Sequence, residues 1–414
     1  MIRKKDFLWN MIGSIVQSLF SVIASIVITR INGIDEAGIF NITYATAFIL
    51  YAIGDYGMRV YHVTDTKRES SFQTYLLARI FVNVIMVLVG IGVINVIGYS
   101  SHKAFMCFSI IIFKFVDGIS ETFQGEFQLS GRLDLGGKSV SIRMTVSLAG
   151  LAITDIITKN ILLSFIVFDV INIISFILFD LINIRQFIEK RRADIKDACM
   201  LLIKCFPVFY STLLNLYVIN SPKYAIDRWL SNEEQGYFSI INLPTFTINL
   251  MSIFALKPLL KPIGDYFNNK EYRKLNEVVI KMALIIAGLT ILVEAACMII
   301  GIPVLELVYN EKLGGYKQDM FLLIISGGFN ALTVMFFNVI TAMRCKIEPI
   351  AAYTVTTIFA LFVSDMLVKS KGLTGAGLSS VAVMFVLFAT LLLMYLYKMH
   401  RYVSSEIAEQ GKAG

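Results

Sequence analysis

The chain has 414 residues, 57% of them hydrophobic and only 16% charged, with a formal net charge of +7 and a mean hydropathy of +0.71. A soluble domain carries about 25% charged residues, and a water-soluble fold of this size cannot hide so much apolar surface. The composition excludes an ordinary soluble enzyme and predicts a multi-pass membrane protein with no nucleic-acid partner.

From the start, Met1 to Asp6 is basic and precedes an apolar run from Phe7 to Thr29. No small-residue cleavage site follows, so the run reads as an uncleaved first span. Apolar runs of about 20 residues predict twelve spans, at roughly 9–29, 37–57, 75–97, 104–124, 139–157, 161–184, 199–219, 236–256, 277–300, 319–342, 350–368 and 375–397. Of the 37 Lys and Arg, 23 fall on the side shared by both termini, 9 on the other side and 5 inside spans. Loops rich in Lys and Arg stay inside, so both termini are expected in the cytoplasm.

Two basic loops interrupt the pattern. Residues 185–198, with Arg185, Lys190, Arg191, Arg192 and Lys196, read as an amphipathic interfacial linker between a six-span lobe at 1–184 and a second at 199–397. A cytoplasmic tail follows at 398–414, and residues 257–276 resemble the linker in character. The same charges also serve topology alone. The five cysteines and three histidines are scattered, without metal-ligand or redox spacing. Walker loop, paired CxxC, HExxH and nucleophile elbow are all missing from the sequence. The chain is therefore read as neither an enzyme nor an ATP-driven pump, and no metal or cofactor is expected.

Ionisable residues in a span cost about 2.5–3.5 kcal/mol each at its centre, so each needs a reason. The fourth span carries Lys114, Asp117 and Glu121 at spacings of three and four, which places them on one helix face. They form either a self-neutralising pair, Lys114 with Asp117, or a polar stripe along a wet cavity. Asp169 lies near mid-depth in the sixth span with no partner on its own helix, and is the candidate coupling acid. Arg79, Arg143, Lys204 and Lys281 each lie about one turn from the cytoplasmic end of an odd-numbered span. They either snorkel to headgroups or ring a cavity mouth suited to a diphosphate. Pro207, Pro244 and Pro303 lie in or beside spans, where each frees a carbonyl and permits a bend. The run Gly372 to Gly377 reads as a close-packing segment.

A shift of 198 positions superposes Arg30 on Arg228, Asp35 on Glu233, Glu36 on Glu234, Gly38 on Gly236 and Phe40 on Phe238 without a gap. Such residues either cap helix ends or mark a duplicated half, a common way to build a transporter. The stretch Asn220-Ser-Pro-Lys-Tyr-Ala-Ile-Asp-Arg-Trp-Leu-Ser, with Gln235-Gly-Tyr-Phe-Ser-Ile-Ile, Pro244 and Lys257-Pro258, resembles the Wzx-type polysaccharide flippases of the multidrug/oligosaccharidyl-lipid/polysaccharide superfamily. Asn10, Gly13, Thr29-Arg30, Ala37-Gly-Ile-Phe40 and Gly301-Ile-Pro-Val-Leu are also similar.

The resemblance implies an all-α membrane fold, two six-helix lobes related by a pseudo-two-fold axis in a V around a central cavity. It implies outward transfer of undecaprenyl-diphosphate-linked oligosaccharide by alternating access across a bacterial cytoplasmic membrane, for O-antigen or capsule assembly. A polysaccharide polymerase and glycosyltransferases are the implied partners. Arg30 is the best positional carry-over for the anionic head, with Arg228 as its internal counterpart, and Lys114 joins them on depth. A cation-coupled drug exporter using Asp117, Glu121 and Asp169, or a peptidoglycan-precursor flippase, are the alternatives.

Overall fold

The computed structural model describes residues 4–65, 67–188, 192–256, 259–343, 345 and 347–413, and every regular element among them is helical. Hydrocarbon offers no hydrogen bonds, so a spanning segment must satisfy its backbone internally. Among the described residues, nine helices are long and apolar enough to cross a membrane. One of them, Glu348–Tyr402, contains Gly372 at φ 60 and ψ −137, so it is two spans joined at a sharp turn. The charged helix at Ser101–Leu129, and a pair that breaks at Asn242, supply the remaining predicted spans.

The helices gather into two units, Met1–Leu216 and Tyr217–Gly414. The first unit holds α1 (Lys4–Asn32), α2 (Ile34–Asp55), α3 (Met58–Thr64), α4 (Phe72–Ile97), α5 (Ser101–Leu129), α6 (Leu133–Thr158) and α7 (Ile161–Phe176). A π-helical turn at Ile177–Leu181 and α8 (Ile182–Ile184) complete the sixth span. Helix α1 packs along α6, and α5 packs against α2, α4, α6 and α7. Phe20, Phe113 and Phe168 meet at the centre, with Phe20 stacked on Phe113 at 5.1 Å. Between α1 and α6 the approach is close, because a Cβ on Gly137 would lie 2.3 Å from the Trp9 carbonyl oxygen.

Residues 185–187 form a turn and 192–194 are irregular, while Glu189, Lys190 and Arg191 lie outside the described residues. No amphipathic linker helix forms among the described residues of 185–194. The chain goes directly into α9 (Ile195–Trp229), a helix of 35 residues. Its first turns carry Ala198, Leu201 and Cys205 onto Met58, Tyr75, Ala78 and Val82 of the first unit.

The second unit holds the end of α9 and then α10 (Asn232–Ile241), α11 (Leu243–Leu256), α12 (Leu260–Asn268), α13 (Tyr272–Ala296), α14 (Ile302–Tyr309), α15 (Lys317–Ala342) and α16 (Ile347–Ala413). Lys257 and Pro258 lie outside the described residues. Helix α15 is central and packs on α11, α13 and α16. A π-helical turn at Cys297–Gly301 precedes Pro303, and α10 stops just before Pro244. Proline lacks an N–H, so the carbonyl four residues earlier loses its helical partner, and both interruptions fall in the turn before a proline. Pro207, in contrast, sits inside a continuous α9.

The repeated segment has the same local form in both units. Arg30 and Arg228 lie in the last turns of α1 and α9, and the acidic pairs lie in the first turns of α2 and α10. The turns differ. Gly33 enters α2 at φ 95, whereas Ser231 and Glu234 close a capping box on α10. The glycine run acts through Gly372 as a turn, while Gly377 gives the close packing, with its Cβ position 3.2 Å from Leu322 of α15.

Candidate functional site

Two intramembrane polar systems stand out, one in each unit, and their charge balance is opposite. The first runs along α5. Lys114 Nζ lies 3.5 Å from Asp117 Oδ2, and Arg143 Nη2 of α6 donates to Asp117 Oδ1 at 2.6 Å. Arg143 Nη1 donates to Asn172 Oδ1 of α7 at 2.9 Å. The Lys114 ammonium is also ringed by aromatic faces, with Phe48, Phe113, Tyr51 and Tyr44 centroids at 5.0, 5.1, 5.2 and 5.5 Å. A desolvated cation over such faces gains about 2 kcal/mol or more. Tyr51 continues the chain, because its hydroxyl donates to Glu121 Oε2 at 3.0 Å. Glu121 in turn lies 3.6 Å from Arg79 Nη2.

Arg79 fills its remaining donor capacity within the unit. Its Nη1 reaches the Gly54 and Asp55 carbonyls at 2.8 and 2.9 Å and Asp55 Oδ1 at 3.2 Å, and its Nε donates to Thr122 at 3.1 Å. Arg79 and Arg143 are 1% and 0% exposed. They neither snorkel nor stand open at a cavity mouth; the first unit consumes their charge. Towards the same end, Asp180 accepts from Ser139 at 2.6 Å and Ser120 at 3.2 Å, and Glu126 pairs with Arg68 at 2.8 Å. Asp169 stands apart and accepts from Ser109 at 2.5 Å.

The other sequence-derived cations are exposed. Arg30 is exposed on the last turn of α1, and Lys281 is exposed on α13. Lys204 is exposed on α9, borders a cleft of about 360 Å³ with Asp65, Glu69 and Asp197, and accepts at its carbonyl from Tyr61. Arg228 is 58% exposed and pairs with Asp365.

The second system surrounds Lys223, a residue that sequence reasoning assigned to an outer loop. The apolar run ends at 219 and the sequence then turns polar, yet α9 continues to Trp229 and carries Lys223 into the span. The helix survives because Ser221 Oγ donates to the Val218 carbonyl at 3.0 Å. That carbonyl is the one a proline at position 222 deprives of its usual N–H partner. Lys223 faces a cavity of about 80 Å³ lined by Asn220, Asn242, Thr245, Asn249, Ser326, Asn330 and Ser380, with no carboxylate in the lining. Asn330 Nδ2 donates to Asn249 Oδ1 at 2.9 Å, and Thr245 Oγ1 donates to the Asn242 carbonyl at 2.7 Å. Gly327 lets α15 approach α11 here, since its Cβ position is 3.0 Å from Thr245. Among the described residues Lys223 has no hydrogen bond and no ion pair. An isolated ammonium in a span costs about 2.5–3.5 kcal/mol on insertion scales, and here no internal partner offsets it.

No protein-family model matches the chain, and a search of curated proteins finds no match. Among solved structures the fold recurs. An inward-closed lipid II flippase MurJ superposes with a TM-score of 0.70 at 12% identity, covering 95% of this chain and 90% of that one. An inward-facing multidrug resistance MATE family transporter of the MOP superfamily gives 0.68 at 10% identity, over 95% and 98%. A MOP superfamily transporter from Pyrococcus furiosus, whose binding pocket is described as of reverse polarity, gives 0.57 at 11% identity, over 97% and 95%. The chain thus has the all-α, multi-pass membrane fold of MOP superfamily transporters. Its neighbours are transporters and flippases.

Proposed function

We propose that this protein flips a polyprenyl-diphosphate-linked oligosaccharide from the inner to the outer leaflet of a bacterial cytoplasmic membrane, by alternating access. One observation carries the reading. The α5 carboxylate suited to a cationic substrate, Asp117, is held between Lys114 and Arg143, while Lys223, in a cavity without a carboxylate, has no ion pair or hydrogen bond among the described residues. An unspent positive charge favours an anionic cargo. The likeness to a lipid II flippase supports the same reading. Glycosyltransferases would supply the cargo on the cytoplasmic side, and a polymerase would consume it outside.

The energetics favour this direction. The polar sugar needs a wet path, while the lipid tail stays in hydrocarbon. A diphosphate moved outward across an inside-negative potential gains about 2.3 kcal/mol per charge per 100 mV. The potential then helps drive flipping without an ion cycle.

Proteoliposomes test the reading. A fluorescent oligosaccharide on undecaprenyl diphosphate should flip, and faster with an inside-negative potential. Lipid II flipping in its place would assign the chain to peptidoglycan precursors. Uptake of cationic dyes with no lipid flipping would establish the drug-exporter reading, which Asp169, with Oδ1 unpartnered among the described residues, favours.

A further inference from the structure

Building on that reading, we propose that Lys223, with the carboxamides and hydroxyls around it, forms a seat for one phosphate group of the cargo. Three independent features converge on this ligand. Lys223 brings a basic amine into a span and has no partner among the described residues. The remaining polar lining is neutral, and the carboxamides of Asn242, Asn249 and Asn330 with the hydroxyl of Ser326 supply donors. A tetrahedral anion with several acceptor oxygens uses such donors together with an ammonium point charge. A cationic or purely apolar ligand uses neither.

Size narrows the choice. Drug-sized ligands occupy roughly 300–1,000 Å³, and this cavity offers about 80 Å³. It admits a phosphate and excludes a sugar ring or a polycyclic drug. The walls are also fixed. Asn330 is bonded to Asn249 across α15 and α11, Thr245 is bonded to the Asn242 carbonyl, and Gly327 leaves no side chain between the two helices. The seat is thus built from five helices, α9, α10, α11, α15 and α16, rather than from a mobile loop.

The phosphate could belong to a lipid-linked diphosphate or to the free ion, and the test separates these sources. Purified full-length protein in nanodiscs is titrated with undecaprenyl diphosphate and, separately, with inorganic pyrophosphate and phosphate. Wild type should bind undecaprenyl diphosphate, Lys223→Gln at least tenfold more weakly, and Lys223→Arg close to wild type. Pyrophosphate should compete. Equal binding by wild type and Lys223→Gln would overturn the seat and leave the flippase reading standing. Lys223-dependent binding of phosphate or pyrophosphate without any binding of the lipid would keep the seat and remove the flippase reading. A wild type that binds no phosphate probe would overturn the seat. Should Lys223→Gln fail to fold, reductive methylation of wild-type Lys223, followed by mass spectrometry, replaces it. Bound undecaprenyl diphosphate should slow the labelling at least tenfold, and an unchanged rate would refute the proposal.

Discussion

The two units treat buried charge in opposite ways. In the first, each cation along α5 meets a carboxylate or a ring face: Arg143 and Lys114 share Asp117, and Arg79 meets Asp55 and Glu121. In the second, Lys223 meets only amides and hydroxyls in its cavity. Both arrangements bring charged groups into spans, but only the first pairs its cations within the fold. A self-sufficient network gives rigidity, and an unpaired charge gives affinity for something that arrives from outside. Substitutions in the first unit should therefore register mainly as lost stability, and substitution of Lys223 mainly as lost binding.

The largest effect is expected at Arg143. Removing one member of a buried ion pair costs about 3–5 kcal/mol, and Arg143→Gln leaves Asp117 with only the 3.5 Å contact to Lys114. A drop of that size in unfolding free energy, or loss of the folded protein, is the expected outcome in detergent. Lys114→Met should cost about 2 kcal/mol, the value of a desolvated ring-caged cation, because Arg143 still satisfies Asp117. Transport by the folded remainder should persist. Lys223→Gln should leave thermal stability unchanged or raised, yet weaken diphosphate binding tenfold, about 1.4 kcal/mol.

Arg228→Ala removes an exposed pair with Asp365 and should cost only about 0.2–1 kcal/mol; a large loss of transport at normal stability would move Arg228 into the site. The smallest effect concerns His62 of α3, 2% exposed and 3.5 Å from Glu126. Burial holds its pKa below the ordinary histidine value against the opposing pull of Glu126. The folded state thus favours neutral His62, so stability should fall as pH drops below the unfolded value of about 6.5. His62→Gln should flatten that part of the curve.

Much of this was legible in the sequence. Run length alone located the spans, because hydrocarbon thickness fixes how many apolar residues a helix needs. The spacing of Lys114 and Asp117 offered their contact as one of two readings, since it depends only on helical geometry. The Asp117–Arg143 bond could not be read, because the two lie 26 positions apart on different helices. Depth from the span ends suggested snorkelling for Arg79 and Arg143 but said nothing of which way they face. Lys223 was hidden because the apolar run turns polar at Asn220, while the helix continues past Pro222 with Ser221 Oγ bonded to the carbonyl that proline leaves unpaired. The signal was present as Ser-Pro-Lys, with the repair donor next to the breaker.

The most direct measurement is flipping of a fluorescent undecaprenyl-diphosphate oligosaccharide in proteoliposomes, compared between wild type and Lys223→Gln at matched protein content. Wild type should flip the lipid, and Lys223→Gln should lose at least tenfold in rate at subsaturating lipid while unfolding at the same temperature. Equal rates for the two proteins would contradict the account.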